Sequence, residues 1–187
     1  HGKGVSINLK NPQEVLEAFK IAKEYEDTVL VEKYIKGSYY RVLVVGDKVV
    51  AASHRISANV TGDGVSTLRE LIKRENSNPM RGEGHEKPLT KINIDKVVEQ
   101  HLKKRDMTLE YVPDDGEIVY LRENDNLSTG GVAIDVTDEI HEQNKKLITL
   151  AAGIVGLDVA GVDISTVDIS RPLTETGGAI IEINAAP

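Results

Sequence analysis

The sequence predicts an α+β fold in which antiparallel strands pack against helices. Strand-like and helix-like segments are interspersed along the chain, and several strands follow one another across tight turns that are typical of hairpins. Two helices begin at recognisable capping sequences. With 187 residues, 40% of them hydrophobic, the chain can bury a core as one domain or as two small lobes.

The first segments predict a strand, a helix and a second strand. Val5 to Leu9 is short and apolar, and Thr28 to Ile35 contains a longer apolar run. Between them, residues 11–14 combine an asparagine N-cap, a proline at the first helical position and a glutamate three residues after the cap. Three apolar residues at helical spacing then predict a buried stripe: Val15, Phe19 and Ala22.

The middle of the chain predicts a hairpin and a second capped helix. Tyr39 to Val45 and Lys48 to Ser53 alternate around the tight turn at Gly46-Asp47. Thr67 to Glu70 resembles a capping box. Three apolar side chains of this helix are predicted to face inward: Leu68, Leu71 and Ile72.

The remaining segments alternate loops, helices and strands. Residues 77–91 are polar and rich in Gly and Pro, and they predict a long loop, which is uncommon unless it is functional or disordered. The later elements are predicted in this order: a helix at about 95–104, a strand from Ile118 to Leu121, a glycine-bearing stretch from Asn124 to Gly131, and a helix from about Asp138 to Val155 that stops at Gly156.

The last two strands carry a candidate metal site. Glu182 and Asn184 lie two residues apart in an apolar strand, so they share one face. Asp163 is the lone carboxylate of the preceding apolar strand. Oxygen ligands on neighbouring strands suit Mg²⁺. Taken alone, the Glu-x-Asn pair is equally compatible with ordinary polar residues at a sheet edge, whereas the addition of Asp163 and of the glycine-rich start favours a metal.

Two further segments are candidates for nucleotide binding. Gly2-Lys3-Gly4 does not match a Walker A motif, but a glycine-rich turn can close over phosphates; a plain hairpin turn is the alternative. The strand that ends at Glu32-Lys33-Tyr34-Ile35 could offer its backbone to an adenine and Lys33 to a phosphate. The alternative is a strand end with solvated charges.

Composition excludes several classes of protein. The net charge is −7, with 30 acidic and 23 basic residues, which argues against a nucleic-acid partner. The absence of cysteine excludes disulfides and thiolate metal sites. No apolar run has the ~20 residues of a membrane helix, so we expect no membrane association. The chain begins at His1 and ends soon after the candidate metal ligands, and we expect it to be a piece of a longer protein.

The order of these motifs resembles the ATP-grasp superfamily, whose members join a carboxylate to an amine through an acyl phosphate. Within that superfamily, four longer stretches resemble the cyanophycin synthetases, which extend a polymer of aspartate with arginine side branches. The four stretches are residues 61–64, 81–92, 126–131 and 168–173. This resemblance extends over the whole chain and implies a cytoplasmic ligase.

The resemblance implies a role for each candidate residue. ATP would be held by residues of the glycine-rich turn, the adenine hinge and the first hairpin: Gly2, Lys3, Gly4, Glu32, Lys33, Ile35 and, less strongly, Arg41. Two Mg²⁺ ions would be held by Asp163, Glu182 and Asn184. His85 would be the general base, and Arg122 would lie near the acyl phosphate. The substrate loop would be Ser128, Thr129, Gly130 and Gly131.

The resemblance also implies an architecture and partners. Two α+β lobes with antiparallel sheets would grip ATP between them. Residues of about 1–35 would be a remnant of the ATP-binding lobe, truncated at its start, and residues of about 36–187 would be the C-terminal lobe with an inserted loop at 77–92. The expected partners are aspartate, ATP and a growing aspartate–arginine polymer primer, and the full-length enzyme is expected to be a homo-oligomer.

Two departures from the family pattern qualify these expectations. Tyr39 replaces an acidic residue that many relatives use near the ribose, and a lysine expected before the glycine-rich turn is missing from the sequence. We therefore expect residues 1–187 to be inactive as a ligase on their own. The alternatives are a glutathione synthetase-type domain of a fused glutamate–cysteine ligase, and a module that binds ATP without turnover.

Overall fold

A computed structural model describes residues 5–84, 86–122 and 127–185. The chain divides into two compact units, one that ends at Lys36 and one that begins at Gly37. None of the described helices is long and apolar enough to span a membrane.

The first unit contains helix α1, Pro12–Lys23. The predicted cap is confirmed, because the Asn11 side chain accepts a hydrogen bond of 2.9 Å from the backbone N–H of Glu14. The predicted buried stripe is wrong. No residue of α1 is buried, and Phe19 is 43% exposed. The spacing alone cannot supply the surface against which such a stripe would pack.

The two strands predicted in the first unit are also wrong. Residues 5–9 and 28–35 are extended or irregular and pair with no neighbour among the described residues. Leu30 and Val31 are 78% and 71% exposed. A strand needs a hydrogen-bonding partner as well as an apolar sequence. The described part of this unit supplies none.

The second unit contains the sheets. Its described strands are β1 Ser38–Val45, β2 Lys48–Ile56, β3 Asn59–Thr61, β4 Arg81–Gly82, β5 Leu89–Thr90, β6 Ile118–Tyr120, β7 Val132–Asp135, β8 Val159–Thr166 and β9 Ala179–Asn184. Its described α-helices are α2 Leu68–Asn76, α3 Lys96–Lys103, α4 Glu142–Val155 and α5 Leu173–Thr176. Two 3₁₀ turns lie at Leu127–Thr129 and Thr137–Glu139.

The main sheet has the strand order β7-β2-β1-β8-β9, and every pair is antiparallel. One face forms a core with α4. Tyr40, Val42 and Val44 of β1 alternate with less buried residues and pack with Val162 and Ile164 of β8. The other face therefore carries the intervening side chains. The predicted hairpin and its Gly46 turn, with φ +59°, are confirmed.

A second core cluster is built around α2, α3 and the β3–β6 pair. The predicted capping box of α2 is present, with Thr67 and Glu70 bonded reciprocally. The predicted inward residues of α2 are fully buried. Asp95 caps α3 by accepting from the backbone N–H groups of Val97 and Val98.

Two predicted boundaries need correction. Helix α4 begins at Glu142 and not near Asp138, because Ile140 has an extended backbone and is buried in the core. The segment 77–91 is not only a loop. Its β4 and β5 form a short parallel pair, both residues of β4 are buried, and Arg81 donates a hydrogen bond to the carbonyl of Thr90 in β5.

Asn144 of α4 fixes the connection that follows β8. It is 1% exposed, and its Nδ2 donates to the carbonyls of Ile169 and Arg171 while its Oδ1 accepts from the N–H of Leu173.

The substitution Asn144→Leu leaves these buried backbone groups without hydrogen-bond partners. We expect it to lower the free energy of unfolding by ~3 kcal/mol, measured by urea denaturation. Gln143, the exposed neighbour of Asn144, provides the control. Gln143→Leu should change the free energy of unfolding by less than ~0.5 kcal/mol. An equal effect of both substitutions would contradict this role.

Candidate active site

A row of polar side chains crosses the face of the main sheet that is opposite the core with α4. Arg41 of β1 pairs with Asp163 of β8, and Asp163 pairs with Glu182 of β9. Directly opposed residues in antiparallel strands have their side chains on the same face. The structure therefore brings Arg41 and two of the three predicted metal ligands together, and it confirms that the two ligand-bearing strands are neighbours.

A β-bulge places Glu182 on this face. Ile164 pairs with Ile180, but Asp163 pairs with Glu182, so Ile181 is an extra residue in β9. In a regular strand Ile180 and Glu182 would share one face. The bulge reverses the alternation, so that Ile180 and Ile183 both pack on the core while Glu182 lies with Asp163. Bulges of this kind are frequent next to active sites.

Asp163 is the centre of the row. Its Oδ1 accepts a hydrogen bond of 2.6 Å from Arg41 Nε, and its Oδ2 accepts from Arg41 Nη2 at 2.9 Å and from Asn184 Nδ2 at 3.0 Å. The Arg41 and Asp163 side chains are 21% and 19% exposed. Asn184, the third predicted ligand, thus contacts Asp163 directly through its Nδ2. The Oδ1 of Asn184 remains the atom that can face a cation.

The donor set fits Mg²⁺ bound together with phosphates. Mg²⁺ usually takes one or two carboxylates and completes its shell with water and phosphate oxygens. Asp163 and Glu182 supply two carboxylates, and Asn184 supplies an amide oxygen. Within the part of the chain that the structure describes, no cluster of three or more His, Cys, Asp or Glu side chains offers a metal site made by the protein alone.

Arg122 lies in a different setting, at the end of β6. It is 5% exposed, and its Nη2 donates to Asp95 Oδ2 at 2.6 Å and to the carbonyl of Asn93 at 3.3 Å. Burial acts to raise the pKa of Asp95, but hydrogen bonds from Arg122 and from the backbone N–H groups of Val98 and Val97 outweigh it and hold the pKa below its ordinary value. No described residue accepts from the buried Nε of Arg122.

Arg81 connects the predicted substrate loop to the long loop, a role that no sequence pattern indicated. It is 2% exposed at the side chain and donates from Nε and Nη2 to Glu75 and from Nη1 to the carbonyls of Thr90 and Gly130. Ile92 packs so closely on Gly130 that a Cβ there would lie 2.7 Å from its side chain. Arg122 contacts the next residue, Asn93, so Arg122 and the substrate loop converge on one segment.

The other predicted residues of the substrate loop surround this contact. Ser128 and Thr129 lie in the 3₁₀ turn, and Gly131 is buried beside Gly130. A cavity of about 210 Å³ adjoins the loop, and its lining includes Gly130, Arg81 and Arg74.

Several predicted site residues cannot be placed on this face. Gly2, Lys3, Gly4 and His85 lie outside the described residues. Glu32 and Lys33 are exposed and Ile35 is half-buried, and all three belong to the first unit. Their roles in ATP binding stay predictions.

The chain is 49% identical over 189 residues to the cyanophycin synthetase of Geminocystis herdmanii and 48% identical over 189 residues to that of Synechocystis sp.. The chain resembles cyanophycin synthetase along its whole length. Each match covers 100% of this chain but only 22% of the relative. No protein-family model matches the chain.

Glutathione-synthesising proteins resemble the chain less closely than these cyanophycin synthetases. The glutathione biosynthesis bifunctional protein of Clostridium perfringens is 38% identical over 188 residues, covering 100% of this chain and 24% of that protein. The solved structure of a bifunctional glutathione synthetase from Pasteurella multocida matches with a TM-score of 0.73 at 37% identity, covering 100% of this chain and 26% of that chain. The predicted resemblance to cyanophycin synthetase is confirmed, and so is the predicted α+β fold class with antiparallel strands packed against helices.

Proposed function

We propose that this chain is part of an ATP-dependent ligase that forms carbon–nitrogen bonds. In this proposal the C-terminal carboxylate of a poly-aspartate backbone is activated as an acyl phosphate and then coupled to the amine of aspartate. The observation that carries it is the similarity to cyanophycin synthetases at 47–49% identity over the whole chain. The row from Arg41 to Glu182 supports it, because its chemistry matches the Mg²⁺ and phosphate handling that such a reaction needs.

In this mechanism the protein positions charge and does little covalent chemistry. When bound, Mg²⁺ would supply positive charge that offsets the phosphate charge. Asp163, Glu182 and the Oδ1 of Asn184 would hold it. Arg122 offers a fixed guanidinium beside the substrate loop, which suits a carboxylate or an acyl phosphate. The bond with Asp95 keeps that guanidinium in one orientation.

The metal count, the partners and the cellular setting belong to the same proposal. We propose two Mg²⁺ ions, ATP, aspartate and an aspartate–arginine polymer primer, in a cytoplasmic homo-oligomer. The division of labour between an ATP-binding remnant before residue 36 and a C-terminal lobe after it is likewise a proposal.

Glutathione synthesis is the second candidate, because the bifunctional glutathione proteins are 37–39% identical to the chain over its whole length. A non-catalytic ATP-binding module is disfavoured by the presence of both carboxylates and Asn184 on neighbouring strands.

Reciprocal segment replacement tests the choice between these activities. In the Synechocystis chimaera this chain replaces the matching segment of the Synechocystis cyanophycin synthetase, and in the Pasteurella chimaera it replaces the matching segment of the bifunctional glutathione synthetase. We expect ATP-dependent incorporation of aspartate into primer by the first chimaera. We expect at least ~100-fold less glutathione formation by the second than by its parent, because substrate contacts and not the fold set specificity.

Each parent enzyme with its own segment reinserted is the control for the replacement procedure. Glutathione synthesis at the parental rate by the Pasteurella chimaera, together with an inactive Synechocystis chimaera, would reverse the assignment. Inactivity of both folded chimaeras towards ATP hydrolysis would reject a catalytic role.

A further inference from the structure

Arg41 binds the same carboxylate that the proposed function assigns to Mg²⁺. Its guanidinium meets Asp163 side-on, with one N–H bond to each carboxylate oxygen at 2.6 and 2.9 Å. Both partners are about four-fifths buried at the side chain. A side-on pair in this setting is stronger than an exposed ion pair, because water screens it less and its two bonds fix its geometry.

Hydrogen bonds occupy most of the lone-pair positions with which the Asp163 carboxylate could bind a metal. A carboxylate offers about four lone-pair positions. Arg41 uses one on each oxygen, and Asn184 uses a second one on Oδ2. One position remains, on Oδ1. A divalent ion at that position would lie beside a fixed positive charge.

From this arrangement we propose that Arg41 is the resident counter-ion of the metal site: it neutralises Asp163 when no metal is bound, and its positive charge opposes the binding of a divalent ion at the remaining Oδ1 position. This rests on the proposed function, and it makes Arg41 a residue that sets metal affinity and not simply a phosphate contact. The consequence is a site that holds free divalent ions weakly.

The opposing effects of Arg41 have different magnitudes. Its removal takes away a positive charge next to the incoming cation and frees two lone pairs, which strengthens metal binding. It also removes a contact that orients Asp163, which weakens binding. Asn184 still holds Oδ2, and the strand position of Asp163 is fixed by pairing with β1 and β9. The electrostatic gain should therefore exceed the loss of orientation.

Titration of the metal-free chain with Mn²⁺, followed by electron paramagnetic resonance, tests this inference. Arg41→Gln should bind Mn²⁺ at least ~10-fold more tightly than the original chain. Arg41→Lys keeps the charge but loses the side-on fork, so its affinity should be intermediate. The matched control is Arg69→Gln, which removes the same charge from an exposed pair with Glu110 and should leave the affinity within ~2-fold.

A second measurement keeps the result independent of folding. Without metal, Arg41→Gln should lower the midpoint of thermal unfolding, since Asp163 then lacks its cationic partner. Mn²⁺ should raise that midpoint more than in the original chain. If Arg41→Gln does not fold, the affinity of Arg41→Lys decides.

The possible outcomes distinguish the counter-ion role of Arg41 from the existence of the metal site. Equal or weaker Mn²⁺ binding by both Arg41 variants, with binding still abolished by Glu182→Gln, would overturn the counter-ion role and leave the metal site standing. No Mn²⁺ binding by any variant would overturn both. Tighter binding by Arg41→Gln that disappears in the double variant with Glu182→Gln would support both.

Discussion

Glu182→Gln should reduce ligation by the Synechocystis chimaera about 10²–10³-fold while the fold persists. The substitution removes one of the two carboxylates of the candidate metal site and keeps the size of the side chain. Glu182 is exposed, so the free energy of unfolding should change by no more than ~0.5 kcal/mol. Polymer elongation and phosphate release, followed as Mg²⁺ is varied, measure the effect, and raised Mg²⁺ should restore part of the activity.

Glu110→Gln is the matched control for this substitution. Its side chain is 65% exposed and pairs with Arg69, away from the row on the main sheet. It should leave elongation within ~2-fold of the unmodified chimaera. Near-normal elongation by Glu182→Gln at low Mg²⁺ would show that Glu182 is not a metal ligand.

His85→Ala should slow peptide-bond formation by the same chimaera about 10²–10⁴-fold, the usual effect of losing a general base. The prediction rests on the sequence and the family resemblance, because His85 lies outside the described residues. The incoming aspartate arrives largely as an ammonium and must lose a proton before it attacks. An imidazole with an ordinary pKa of ~6.5 can accept that proton at neutral pH.

The pH profile distinguishes a base from a residue that merely shapes the loop. The coupling rate of the unmodified chimaera should fall as the pH drops below the pKa of His85, since the protonated imidazole cannot accept a proton. The His85→Ala rate should lack this fall, and binding of ATP and Mg²⁺ should stay within ~2-fold. Wild-type coupling rates in His85→Ala from pH 6 to 9 would exclude the role.

Local signals predicted much of the second unit. The capping box at Thr67 and Glu70 and the stop at Gly156 are correct, because each depends on a few neighbouring residues. The hairpin around Gly46 is correct for the same reason. The first unit shows the opposite case. Its apolar segments have strand-like and helix-like periods, but a period cannot show whether a partner exists to pair with or cover them.

The candidate site likewise has features that the local sequence predicts and features that it does not. The residue types available for metal and phosphate chemistry can be read directly from the sequence, which predicts Asp163, Glu182 and Asn184 as ligands. The bulge at Ile181 cannot be read in this way, although it turns Glu182 toward Asp163 while Ile180 and Ile183 stay on the core. Nor does the sequence show that Arg41, 122 residues away along the chain, binds Asp163. Register and long-range pairing arise when whole strands pack against a common core, so no local pattern contains them.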